Sequence, residues 1–203
     1  MKIFLHAMTA VLALMFLHGA GAAEKAGKTA LVPHPINKTF YVAGVSNASQ
    51  VAAITAAISK LPSVTGVKEL TPTSGYVRVA FDTHVIASHL IAQTIMDQGP
   101  FTVSLKFEVP EYAKNSAALD ALFAKLLATQ RVKIEPTDPV KGRFVLTYLP
   151  IKPDASDPRK VGFNPGHLGH PIHDAPPKGM GLRMTMIEAP AAGGAVPKAK
   201  RKA

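Results

Sequence analysis

The chain has 203 residues, with 23 Lys and Arg against 13 Asp and Glu, 47% hydrophobic residues and neither Cys nor Trp. That length holds one or two small domains, and the missing cysteine excludes disulfides, thiolate metal sites, iron–sulfur clusters and CxxC redox chemistry together. The formal charge of +10 at pH 7 favours anionic partners, and a bound metal would need His, Met or carboxylate donors.

Residues 1–23 read as a secretory signal peptide. Lys2 supplies the positive start, residues 3–17 are apolar apart from His6 and Thr9, and Ala20-Gly21-Ala22 has the small-residue form of a cleavage site. The apolar run is shorter than the roughly 20 residues that span a bilayer. The expectation is a periplasmic or secreted protein that does not meet nucleic acid. Residues 24–38 carry Gly27, Pro33 and Pro35 without apolar period and read as a leader.

The first patterned block covers residues 39–110. Thr39-Phe-Tyr-Val-Ala is a β-rich run ended by Gly44. Ser46 or Asn47 can cap a helix whose Val51, Ile54, Ile58 and Leu61 recur at helical spacing. Two strand-like runs follow at 64–70 and 76–81, joined by Thr71-Pro-Thr-Ser-Gly75. Asp82 or Thr83 is expected to cap a second helix with Ile86, Leu90, Ile91 and Ile95, closed by Gly99-Pro100. Residues 101–109 then alternate, with Phe101, Val103, Leu105, Phe107 and Val109 on one face. The order βαββαβ predicts an α+β, ferredoxin-like sandwich: an antiparallel four-stranded sheet with both helices on one face.

Val42-Ala-Gly44-Val45, Leu61-Pro-Ser-Val64, Tyr76-Val-Arg-Val-Ala-Phe-Asp82, Ser88, Ile91, Ile95 and Asp97-Gln-Gly99 resemble the heavy-metal-associated domain of copper chaperones and P-type ATPases. The resemblance covers about residues 39 to 109 and implies that family's fold and a link to copper. It departs at the metal loop. The family's G-M-x-C-x-x-C stands here as Gly44-Val45-Ser46-Asn47-Ala48-Ser49-Gln50, so Asn47 and Gln50 occupy the cysteine positions. Neutral amides are poor ligands for soft Cu(I).

Residues 111–189 read as a second, incomplete α+β unit. Leu119, Leu122, Phe123, Leu126 and Leu127 form the stripe of an amphipathic helix capped by Asn115 or Ser116. Residues 131–135 alternate, residues 136–142 turn, and 143–149 form another strand-like run. A long Pro/Gly/His loop over 152–181 stands in for a second helix, and residues 182–187 read as a closing strand, with residues 101–109 as a shared first strand. Residues 190–203, with Lys198, Lys200, Arg201 and Lys202, have the composition of a disordered basic tail that could touch an anionic membrane surface.

The long loop holds the chemistry. It contains Pro165-Gly-His167-Leu-Gly-His170-Pro-Ile-His173-Asp174. Pro165, Gly166, Gly169 and Pro171 argue against a regular helix, and in a polyproline II path successive rings sit about 9 Å apart, so a bend at the glycines is needed for one ion to gather them. His167, His170, His173 and Asp174, with Met180 beyond, are the candidate ligands. Met184 and Met186 share a strand face nearby. Imidazole plus thioether without thiolate suits copper, with zinc or nickel as alternatives that leave the methionines idle. His84 and His89, five residues apart on a helix, point about 140° away from each other and read as surface residues. No G-x-S-x-G, phosphate-cradling glycine loop or H-E-x-x-H occurs, so no enzyme is expected. Two readings follow: an exported metal-handling protein with ligands on the histidine loop, or an interaction module that keeps the fold, binds no metal and meets another exported protein.

Overall fold

The computed structural model describes residues 35–152, 157 and 162–190. The segment read as a signal peptide, most of that read as a leader, and the residues beyond 190 lie outside the described residues. Strand β1 spans Pro35–Ala43 and so begins four residues before Thr39, inside the stretch read as leader. It is followed by α1 (Ala48–Ser59), β2 (Gly66–Lys68), β3 (Tyr76–Asp82), α2 (Ser88–Met96) and β4 (Thr102–Glu108). The strands pair antiparallel in the order β2-β3-β1-β4, which is the ferredoxin-like arrangement.

The chain continues through α3 (Tyr112–Gln130), β5 (Val132–Asp138), β6 (Arg143–Tyr148), α4 (Gly166–His173) and β7 (Thr185–Met186). These strands extend the same sheet. β6 pairs with β4, β5 with β6, and β7 with the other side of β4. Taken from β4, the order β4-α3-β5-β6-α4-β7 is again βαββαβ, and its pairings match those of the first unit strand for strand. The second unit is therefore complete, and β4 belongs to both.

Completion depends on α4, where a loop was expected. Pro171 is the sixth residue of an eight-residue helix and forfeits only one bond, to the His167 carbonyl. The N–H groups of His167, Leu168 and Gly169 bond the carbonyls of Asn164 and Pro165, and the Asp174 N–H closes on the His170 carbonyl. Leu168 and Ile172, four apart, are both buried and fasten the helix to the core.

Two further boundaries differ from the sequence reading. Asp82 accepts from the N–H groups of Val85 and Ile86 and organises a turn before α2, so the helix starts only at Ser88. Asn115 lies inside α3 at a kink (φ −129°, ψ 18°) and its side chain donates to the Glu111 carbonyl.

One hydrophobic cluster lies beneath the sheet. Phe40, Val79, Leu105, Phe107, Phe144 and Leu146 from the strands meet Ile54, Ile58, Ile91, Ile95, Phe123 and Leu168 from all four helices. The Phe107, Phe123 and Phe144 rings pack with centroids 5.2 to 6.1 Å apart. On the opposite face, β1 and β7 lie end to end along one side of β4: Tyr41, Val42 and Ala43 pair with Ser104, Val103 and Thr102, while Met186 and Thr185 pair with Phe107 and Glu108. The chain after β7 straps that outer face. Glu188 accepts from the Thr39 N–H at 3.0 Å, the Tyr41 hydroxyl donates to the Ile187 carbonyl, Tyr76 to Pro190, and Arg78 to Ala189.

Candidate functional site

The loop between β1 and α1 is occupied by its own hydrogen bonds. Asn47 is the N-cap of α1, with extended backbone (φ −148°, ψ 164°), and its Oδ1 accepts from the Gln50 N–H at 3.0 Å. Gln50 Oε1 in turn accepts from the Ser46 N–H at 2.8 Å and the Ser46 hydroxyl at 3.2 Å. This is a reciprocal capping arrangement that satisfies the free N–H groups at a helix start. The two positions that resemble the family's cysteines therefore hold the helix end, and the donor set does not fit a soft metal ion.

The three histidines are exposed on α4 while Leu168 and Ile172 face the core. Residues three apart on a helix are rotated by about 60° and displaced by about 4.5 Å, so the rings form a shallow stripe, with His167 and His173 about 9 Å apart along the axis. Among the described residues no three His, Asp or Glu side chains come together to hold a metal ion.

Each histidine has its own situation. His167 Nδ1 accepts from the Asn164 N–H at 3.1 Å, and its ring meets Phe163 edge-on at 6.0 Å. Burial pushes its pKa down, and the bond at Nδ1 places the remaining proton on Nε2. His167 is therefore bound up in the start of its own helix. His170 Nδ1 instead lies 3.7 Å from Asp174 Oδ1, an ion-pair distance between two solvent-exposed side chains. The His170 ring leans one turn back over Gly166, where a β-carbon would lie 3.6 Å from Nε2, and the His173 ring leans over Gly169. Met180, Met184 and Met186 are partly buried against the core.

His89 is a correction to the sequence reading, which placed it on the surface. It is fully buried. Nε2 donates to the Leu149 carbonyl at 2.9 Å, Nδ1 accepts from the Phe163 N–H at 3.0 Å, and its backbone N–H donates to the Phe163 carbonyl. Ser88 donates to the same carbonyl and accepts from the Tyr148 hydroxyl, while Asn164 Oδ1 accepts from the Ser88 N–H and so caps α2 from a distant segment. Gly162 has φ +58°, and a β-carbon there would collide with the His89 ring. The strand-to-helix segment entering α4 is thus docked on the first turn of α2. Desolvation, with the nearby Arg131 charge adding to it, holds the His89 pKa below its ordinary value. The neighbouring Gln93, whose Oε1 accepts from the Ile151 N–H, was the available signal for a second buried face.

No family model matches the chain, and no curated protein matches it. Several solved structures do. A suggested copper-ion-binding protein from Bacillus anthracis is 30% identical over 36% of this chain and 99% of its own, with a TM-score of 0.33. The water-soluble region of the P-type ATPase CopA from Bacillus subtilis is 18% identical over 59% of this chain and 79% of that one, with a TM-score of 0.35. The N-terminal soluble domains of the same CopA are 17% identical over 62% and 85%, at 0.34.

Proposed function

We propose that this is an exported metal-handling protein whose cargo is copper and whose ligands lie on α4 instead of the β1–α1 loop. The observation that carries the reading is the state of His170: exposed, with Asp174 at 3.7 Å from Nδ1, and with His173 one turn further along the same stripe. A small side-chain rotation would bring Asp174 into hydrogen-bond reach of Nδ1 and turn Nε2 outward as a ligand. The resemblance of residues 39–109 to the heavy-metal-associated domain supports the same class, and copper is the ion that imidazole and thioether donors favour together. An exposed stripe that offers few donors suits an ion taken up and passed on. Zinc or nickel would use the nitrogens alone. Export rests on residues 1–23 as a signal, which N-terminal sequencing of the mature protein checks.

The test is copper and zinc titration of the tag-free mature protein beside a variant with His167, His170 and His173 all changed to Ala. Stoichiometric binding that the variant lacks is the expected result. Binding no tighter than that of a free imidazole-bearing peptide would remove the reading. The second reading, an interaction module that keeps the fold and binds no metal, is favoured by the Asn47 and Gln50 capping bonds, which turn the usual metal loop into a helix cap. It would then present a sheet edge to another exported protein.

A further inference from the structure

We infer that Met184 joins His173 in a two-donor site selective for Cu(I), an assignment that rests on the metal-handling reading above. One side chain comes from α4 and the other from the segment that leads into β7, and both approach the same glycine. A β-carbon placed on Gly169 would lie 3.9 Å from His173 Cδ2 and 3.9 Å from the Met184 methyl carbon. Because residue 169 has no side chain, the space between imidazole and thioether is left open. Cδ2 is bonded to Nε2, so the ring edge turned toward Gly169 is the one that carries the outer nitrogen.

The approach is built by the fold. His173 ends α4, and the Leu182 N–H bonds the Ile172 carbonyl while the Met180 N–H bonds the Pro171 carbonyl. These bonds turn the chain back along the helix and bring residue 184 beside Gly169 just before β7 enters the sheet opposite Phe107 and Glu108. Met186 lies within β7, opposite Phe107. A methionine side chain has three rotatable bonds, and rotation about them is what turns the Met184 sulfur toward the His173 ring. The donor pair is one borderline nitrogen and one soft sulfur. Thioether sulfur selects Cu(I), whereas Zn(II) gains little from it. His170, one turn earlier and turned over Gly166, stands outside this pair.

The experiment is a competition titration of the full mature chain with Cu(I) against a chromogenic chelator under anaerobic conditions, and with Zn(II) in parallel. Met184→Leu keeps the side-chain volume and hence the packing, with Met186→Leu as the matched control. The expected result is Cu(I) affinity about tenfold weaker or worse in M184L, unchanged Zn(II) affinity, and unchanged Cu(I) affinity in M186L. Copper X-ray absorption of the parent should show a sulfur neighbour that M184L lacks. Equal Cu(I) affinity in M184L and parent, with no sulfur neighbour, overturns the Met184 assignment. If the triple histidine variant still loses both metals, the proposed function stands without it. If that variant loses neither, both fall.

Discussion

At the scale of single residues, His89 shows how one buried ring can hold two chain segments. Replacing it with Phe keeps the volume but leaves the Phe163 N–H and the Leu149 carbonyl unpaired, and each stranded buried group costs about 1–3 kcal/mol. Urea denaturation of H89F should register that loss at pH 8. The pH dependence has a definite sign. The folded-state pKa of His89 is lowered from 6.5, so the unfolded chain binds the proton more readily. The stabilisation is complete above pH 6.5 and is lost as pH falls below it toward the folded value. The parent should lose stability on acidification through this window, and H89F should lose less. The groups facing the ring are the Arg131 charge and the Tyr148 ring. His89 was hard to see in the sequence because a helical-wheel argument credits one buried face, whereas α2 buries a second against residues 149–151 and 162–164.

Asn47 and Gln50 make a second residue-scale prediction. Their spacing at the start of α1 matches the cysteine spacing of the family they resemble, so Asn47→Cys with Gln50→Cys should create a dithiolate beside free helix N–H groups, an environment that lowers thiol pKa. Anaerobic Cu(I) titration should then show tight binding of one ion more than the parent takes up. No gain would mean that the loop geometry, and not only its residue types, has moved away from metal binding. The exchange also removes the cap, at a cost of about 1 kcal/mol.

The elements differ in how far the sequence displays them. Strands β3 and β4 and the helix α1 are legible because their apolar residues repeat with periods of 2 and 3.6. Helix α4 is not. Its Pro and Gly content outweighs Leu168 and Ile172, the only two apolar positions that mark its buried side. Pro171 is harmless there because the helix ends two residues later. Leu168→Ala should lower stability by about 2–5 kcal/mol in urea unfolding, while His173→Ala on the exposed side should change it by less than about 0.5 kcal/mol. Similar small losses for both would mean that α4 is not packed as described.

The described strands form one sheet with β4 in common, as the shared strand read at residues 101–109 implied, and what the sequence hid is the helix α4 that completes the second unit. Pairings such as β4 with β7 link residues far apart in the chain, and what selects them is the order of elements, which reads βαββαβ only once α4 is recognised as a helix. The described residues, from Pro35 to Pro190, fall within one compact unit. Because Phe107 on β4 packs with Phe144 and Phe123 while Val103 on the same strand pairs with Val42, neither half can release its core without breaking the other. Native-state hydrogen exchange should therefore give the same highest opening free energy for amides of β3 and β6. A lower value confined to β5 and β6 would show that the halves open independently. Charge is distributed less evenly than structure. The described residues carry 14 Lys and Arg against 11 Asp and Glu, a surplus of three, so most of the +10 lies in the segments outside them.

The end-to-end placement of β1 and β7 on β4 also sets an order in time. A chain that emerges from a ribosome or a translocation pore with its N-terminus first exposes β1 and β4 long before residues 185–190 arrive. Until then the half of β4 at Phe107 and Glu108 is a bare edge, and Tyr41, Tyr76 and Arg78 lack the carbonyls that later cover them. Unpaired strand edges are the surfaces through which unfinished chains associate. The last few described residues thus act as a seal, and the interval before they appear is when this protein most needs to be kept from its neighbours.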